Sequence, residues 1–339
     1  MNVRRAVVAV ERAWDAGRLR RTGSRPPAHF RIEPYIGHGG PSGVVVRGRV
    51  LDNPPGTEAV DGEGVGAAVR RSLRTFLTRE LPGVPLRITV GGTTVEAVTD
   101  AEGYFLVRVP APPEALTGPW TRALVEVSGD YRGATGILEA WADVLVPSAD
   151  ARFGIVSDVD DTILQTGVQR VGRMVLQTFT GSSLTRTPFA GAVELYQDLA
   201  AGVNPVFYVS SSPWNLHSFL LAFLRHRGFP LGPVLLRDLI GTWAGREQKH
   251  ARIREILELH PDLSFVLLGD SGEHDPEIYA DIVREDPDRI LAVYIREVRL
   301  DPGDGQVEKV SGAWASEVPF VLAADSDAVR RHARSLGLL

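Results

Sequence analysis

Three aspartates fall within four residues in the stretch FGIVSDVDDTILQTGV, residues 153–168: Asp158, Asp160 and Asp161. They follow an apolar run, Phe153 to Val156, that reads as a buried strand, where so much negative charge is costly without a partner. Further polar groups stand at the ends of later apolar runs. VNPVFYV leads into Ser210-Ser211-Ser212, FVLLG leads into Asp270 with Glu273 and Asp275 behind it, and Lys249 opens the helical pattern KHARIREIL. Acids of this kind can hold a hard, oxygen-seeking cation such as Mg²⁺, while a hydroxyl and an ammonium face the oxygens of a phosphate. Asp270 taken alone would be a loop acid, and Lys249 alone a solvated lysine. Their conjunction in this order points to phosphoryl chemistry.

The elements that must position these groups alternate. Apolar runs at 153–157, 203–210, 233–236, 264–269 and 290–295 are separated by helical patterns such as PFAGAVELYQDLAAG. This is the rhythm of an α/β fold, a parallel sheet flanked by helices, in which functional groups gather at the carboxyl ends of strands. Upstream the rhythm differs. GVVVRGRVL, VPLRITVGGTTVEAVT, GYFLVRVP, ALVEVSG and GILEAWADVLVP read as strands of an antiparallel β-sandwich, with Gly91-Gly92 as a hairpin turn. One helical pattern, VGAAVRRSLRTFLTREL, interrupts them. TDAEGYF (99–105) lacks the acidic spacing of a calcium loop and reads as a turn before a strand. Residues 1–31 carry eight arginines against two acids, with Val3, Val7, Val10 and Trp14 at helical spacing. The pattern predicts a basic amphipathic helix there, either packed on its own domain or lying on an anionic membrane surface. The expected organisation is therefore a helix over 1–31, a sandwich over 32–148 and a catalytic α/β domain over 149–339.

Composition narrows the chemistry. At 339 residues the chain is long enough for two domains, and 44% hydrophobic residues with a net charge of −5 suit a globular protein. No apolar run is long enough to span a bilayer, and the N-terminus does not read as a signal peptide. Cysteine is absent, which removes disulfides, thiolate metal sites and cysteine-nucleophile phosphatases. A cytoplasmic location fits. GDSG at 269–272 also occurs around serine-protease nucleophiles, but here it leads from a strand into a helix rather than lying in a double β-barrel. VSSSP is not a nucleophile elbow, and the eight histidines show no HExxH spacing.

DVDDT (158–162) resembles the DxDxT motif of the haloacid dehalogenase (HAD) superfamily, with Ser210, Lys249 and GDSGEHD (269–275) standing where its other motifs belong. SDVDDTI, FYVSSSPWNL, LLGDSGEHDPEIYADI and YIREV resemble more closely one branch, the actin-patch-associated phosphatidate phosphatases and their bacterial relatives. In that branch Asp161, in place of the commoner glycine, is usual. The resemblance implies an HAD-like, Rossmann-like sheet in which Asp158 attacks phosphorus and forms an aspartyl-phosphate. Asp160 would protonate the leaving group and then activate water. Mg²⁺ would be held by Asp158, the backbone carbonyl of Asp160, and Asp270. Ser210 and Lys249 would bind the transferring oxygens. Asp275 or Glu273 would orient Lys249 or a water on the metal, although DPEI also reads as a helix N-cap with proline at the first position. Asp161 and Thr162 are neighbours of the site without a derived role, and Ser211 and Ser212 are alternates to Ser210.

Room in the sequence bears on the substrate. About 26 residues separate Thr162 from Phe189, and about 36 separate Ser212 from Lys249. These spans admit a flap and a helix but no large lid. An open site suits a phosphate presented on something large, and the resemblance makes that phosphatidate, cleaved to diacylglycerol and phosphate at a membrane surface. Trp214 and Trp243 would either meet acyl chains or pack in the core. Competing readings are a phosphatase of phosphoproteins, nucleic-acid ends or metabolites, and a non-catalytic membrane or scaffold protein. Nucleic acid is not an expected partner.

Overall fold

The computed structural model describes residues 26–53, 80–135, 138–159, 162–163, 189–237, 245–272, 274–297 and 310–339. The basic helix expected over 1–31 falls almost wholly outside these residues, as do the helical pattern before Glu80, the flap after Ile163, and Trp243.

The first half is a sheet of eight strands: β1 (Phe30–Pro34), β2 (Gly37–Gly40), β3 (Gly43–Asp52), β4 (Pro85–Val90), β5 (Thr93–Val98), β6 (Tyr104–Val109), β7 (Trp120–Val127) and β8 (Glu139–Leu145). Their order is β1-β3-β2-β8-β7-β4-β5, with β6 also on β3. β3 explains that branching. At ten residues it is long enough to pair with β2 at its start and β1 at its end, while β6 runs along Val44–Arg49. Alternation is plain on β4, where Leu86, Ile88 and Val90 are buried and Arg87 is exposed. The buried sets of all these strands, Val44, Val46, Ile88, Phe105, Val125 and Val144 among them, make one core. Gly91 and Gly92 turn β4 into β5 with φ of 55° and 78°, values that glycine adopts without strain. Asp100 Oδ1 accepts from the amides of Glu102 and Tyr104, closing the expected turn before β6. The sheet departs from the antiparallel expectation at one place, because β8 returns beside β2 in parallel.

The second half is a parallel sheet of β11 (Val234–Arg237), β10 (Val206–Pro213), β9 (Gly154–Asp158), β12 (Phe265–Asp270), β13 (Ile290–Arg296) and β14 (Phe320–Ala323), in that spatial order. Five of these are the apolar runs read from the sequence. β14 was not foreseen, since four residues before a helix are too few to show a period. Helices cover both faces. On one lie α1 (Ala192–Ala200), α2 (His217–Arg227) and α5 (Ser326–Ser335), packed on Ile155, Tyr208, Leu268 and Tyr294. On the other lie α3 (Gly245–Leu259) and α4 (Asp275–Glu285), packed on Val156, Phe207, Leu267 and Val293. Among the described residues no helix is long and apolar enough to cross a membrane.

The halves share a seam. Leu145 of β8 packs with Val156 and Phe207, and Ser218 on α2 donates to Glu33 on β1 at 2.8 Å. His38 on β2 and His260 after α3 meet at 3.4 Å between ring nitrogens, with Phe207 against both. Burial lowers His38 to about 3, with Arg47 adding to it, and lowers His260 well below its ordinary value. Burial also lowers His217, stacked on Tyr35, to about 3. These rings stay neutral in the fold but take a proton near pH 6.5 once the chain unfolds. Protons therefore favour the unfolded chain. The contribution is complete above roughly pH 6.5 and is lost as pH falls towards about 3, by about 1.4 kcal/mol per pH unit for each histidine. Urea midpoints are expected to fall between pH 7.5 and 5.5, and His217→Phe should reduce that fall. An equal fall in the variant would count against the assignment.

Candidate active site

β9 places Asp158 by simple alternation. Val156 faces α3 and α4, so Asp158, two residues on, faces them as well. Ser157 points the opposite way and hydrogen-bonds Tyr196 of α1 at 2.5 Å. The parallel register brings the other groups alongside. Val209 of β10 is level with Asp158, so Ser210 stands one residue beyond it. On the other flank Leu268 of β12 is level with Ser157, so Asp270 also stands one residue beyond. Asp158, Ser210 and Asp270 are all buried.

Lys249 reaches this edge from α3. The helix begins at Gly245, not at Lys249 as the sequence suggested, so the lysine sits inside its second turn. Its Nζ donates to Asp158 Oδ1 at 2.6 Å and also to Asp275 Oδ1, and all three side chains are buried. Asp275 is not the N-cap of α4. That position is His274, and Asp275 occupies the first turn. There its carboxylate takes Lys249 on one oxygen and the amide of Asp270 on the other, at 3.2 Å. Tethering a buried lysine outweighs capping, because exposed helix ends find water and buried charges do not. Surface pairs hold α3 against α4: Arg246 with Glu277 and Asp281, and His250 and Arg254 with Glu285. Each contributes little alone, but together they fix the rotation of α3 that aims Lys249 inward.

Gly269 makes the packing feasible. A Cβ there would lie 2.5 Å from Asp275 Oδ2 and 2.7 Å from Tyr279 Cε2. Asp270 turns the chain, its Oδ1 accepting from the Gly272 amide at 2.6 Å. Oxygens of Asp158, Asp270 and Asp275 lie within 4.8 Å of one another, three buried acids around one lysine. That donor set fits a hard divalent cation. Both oxygens of Asp275 already face protein donors.

The remaining expectations divide. Thr162 is buried beside the strand end. Ser212 is buried and donates its amide to Ser210 Oγ at 2.9 Å, while Ser211 is half-buried. Asp160, Asp161 and Glu273 lie outside the described residues. Trp214 is settled in favour of packing, being 5% exposed between Arg47 and Tyr35 of the first half. Sequence reasoning missed Tyr196 and that pair, Arg47 and Tyr35. Arg47 on β3 and Tyr35 just after β1 lie more than 160 residues upstream, where nothing in their spacing announces the contact. It also gave no role to Arg296, opposite Asp270, whose guanidinium lies 3.6 Å from the ring centre of Phe189.

Acids, a hydroxyl and a lysine thus converge at the carboxyl edge of the parallel sheet. Residues 153–297 match the family described as phosphatidate phosphatase APP1, catalytic domain. Phosphatidate phosphatase APP1 of Saccharomyces cerevisiae is 34% identical over 246 residues, covering 66% of this chain and 40% of that protein. An uncharacterized protein of Schizosaccharomyces pombe is 30% identical over 211 residues, covering 60% of this chain and 34% of its own length. The chain thus spans well under half the length of these relatives. A solved structure of a HAD family hydrolase from Deinococcus radiodurans R1, with bound phosphate and sodium, overlaps 56% of this chain and 99% of its own at 15% identity and a TM-score of 0.37.

Two substitutions test the packing. Gly269→Ala is expected to cost about 1–3 kcal/mol in urea unfolding, as overpacking does. Lys249→Met should cost about 3–5 kcal/mol by leaving buried carboxylates without their cation. A loss below about 1 kcal/mol for Lys249→Met would mean that the lysine is not their charge partner.

Proposed function

We propose that this chain is a Mg²⁺-dependent phosphomonoesterase working through an aspartyl-phosphate on Asp158, with phosphatidate as its substrate. The observation that carries the reading is the buried Lys249 bonded to both Asp158 and Asp275, with Asp270 beside them. An ammonium 2.6 Å away favours the ionised form of Asp158, and an ionised carboxylate needs no base to act as a nucleophile.

In this scheme an Asp158 oxygen attacks phosphorus and the bond to the alcohol oxygen breaks. The departing oxygen takes a proton from Asp160. Water then attacks the phosphoryl group on Asp158 and passes a proton to Asp160, releasing phosphate and restoring both carboxyls. Lys249 and the Ser210 hydroxyl face the phosphoryl oxygens, where fixed donors stabilise charge developing in the transition state. Asp275 holds Lys249 in place, and Tyr196 with Ser157 steadies the strand end. Mg²⁺, held by Asp158, Asp270 and the Asp160 carbonyl, would supply charge neutralisation between carboxylate and phosphate.

The lipid assignment is supported by the likeness to phosphatidate phosphatase APP1 and by the short spans after Thr162 and Ser212, which leave no room for a large lid. Arginine-rich residues 1–31 would hold the protein against an anionic bilayer as a peripheral protein on its cytoplasmic side.

Phosphate release from phosphatidate in mixed micelles and from a soluble aryl phosphate, with Mg²⁺ or a chelator, tests these steps. Wild type should prefer the lipid and lose activity without the metal. Asp158→Asn should lower turnover on the order of 10³-fold or more. Mg²⁺ should raise the melting temperature of wild type and not of Asp270→Asn. Activity confined to soluble esters would overturn the lipid substrate, and an active Asp158→Asn would overturn the nucleophile.

A further inference from the structure

Part of the upstream sheet's outer face has no cover among the described residues. Alternation puts Trp120, Arg122, Leu124 and Glu126 of β7 on that face, opposite Leu145, Asp143, Trp141 and Glu139 of β8. Leu145 marks the end that lies against the second half. Beyond it the face is open. Trp120 is 39% exposed, Trp141 56%, and Val98 on the outer side of β5 64%. Glu126 and Glu139 stand directly opposite each other, and like charges so placed destabilise a sheet. Neither makes an ion pair among the described residues, and the neighbouring pairs Arg87–Glu96 and Arg122–Asp143 cancel within themselves. An exposed indole beside a doubled acid suits a partner that is both apolar and basic.

We infer that residues 1–25 of this same chain dock on the face, their Val3, Val7, Val10 and Trp14 against Leu124 and Trp141 and their arginines around Glu126 and Glu139. The charges match. Arg4, Arg5, Arg12, Arg18, Arg20, Arg21 and Arg25 stand against Glu11 and Asp15 alone, and the apolar residues recur at helical spacing. The point of entry matches as well. Exposed Pro26 lies 3.8 Å from where a Cβ on Gly133 would stand, and the Phe30 ring meets Tyr131. Gly133 and Tyr131 belong to the connection from β7 to β8, which starts just past Glu126 and ends at Glu139. Length is sufficient, since 25 helical residues span about 38 Å and the eight residues of β7 about 27 Å. Residues 54–79 also leave the described chain near this end, but they carry four arginines against three acids and bring little net charge. One consequence rests on the membrane reading of residues 1–31: an anionic bilayer has to win the segment from the sandwich.

The test uses the full chain. Because it has no cysteine, Thr89→Cys, level with Leu124, puts a single thiol on the face. Adding Trp14→Asp, or Glu126→Gln with Glu139→Gln, is expected to speed maleimide labelling of that thiol about tenfold by freeing the segment locally. Trypsin should likewise cut after Arg12, Arg18 and Arg20 about tenfold faster in Trp141→Ser, at an unchanged melting temperature. Unchanged labelling with Trp14→Asp overturns the inference. So does labelling that quickens with Phe76→Asp but not with Trp14→Asp, which gives the face to residues 54–79. Protection that grows with protein concentration gives it to a second copy and also overturns the inference. Vesicles of phosphatidylserine and phosphatidylcholine supply the last arm. Trp141→Ser should bind them more tightly than wild type, whereas weaker binding means that the face itself meets the bilayer and overturns the inference. Equal binding removes the membrane reading of residues 1–31, and the labelling rates still decide whether the segment docks.

Discussion

Everything at the carboxyl edge of the parallel sheet depends on one buried ammonium, that of Lys249. Asp158 and Asp275 come from elements more than 100 residues apart, and their charges would drive a strand end and a helix start away from each other. The lysine converts that repulsion into a bridge. The surroundings then read as provisions for it. Pairs across α3 and α4 set its rotation, Gly269 clears the space for Asp275, and the Asp270 amide occupies the oxygen that Lys249 does not. The same bridge holds the Asp158 carboxylate in place at the mouth of the sheet.

Much of the second half was legible because its signals are local. Buried parallel strands appear as unbroken apolar runs, and the group following each run marks the functional edge without knowledge of any contact. What escaped depends on geometry between distant segments. DPEI has the local chemistry of a cap, and only the nearness of Lys249 turns Asp275 to another task. The start of α3 was placed a turn late because GREQ carries no apolar periodicity to announce it. β14 is too short to declare itself, and the parallel β2–β8 pair requires knowing which strand returns beside which.

The upstream sheet was legible as an architecture but mute as to purpose. Its alternation and its Gly91-Gly92 and Asp100–Gly103 turns follow from residue type alone. Its contribution to the other half lies in Tyr35 and Arg47, which in one dimension look like an ordinary strand-end aromatic and an ordinary strand arginine. Trp214 was read as open between lipid contact and packing, and its ring is taken by those two residues.

The seam between the halves also carries a direction in time. Residues up to Leu145 contain every strand of the first sheet and its whole apolar core apart from Val146. Trp214 follows about 70 residues later. At roughly 5–20 residues per second during synthesis, the platform bearing Tyr35 and Arg47 has several seconds to form before the indole leaves the ribosome. Chain order thus makes the first half a template, waiting in finished form for the indole of Trp214.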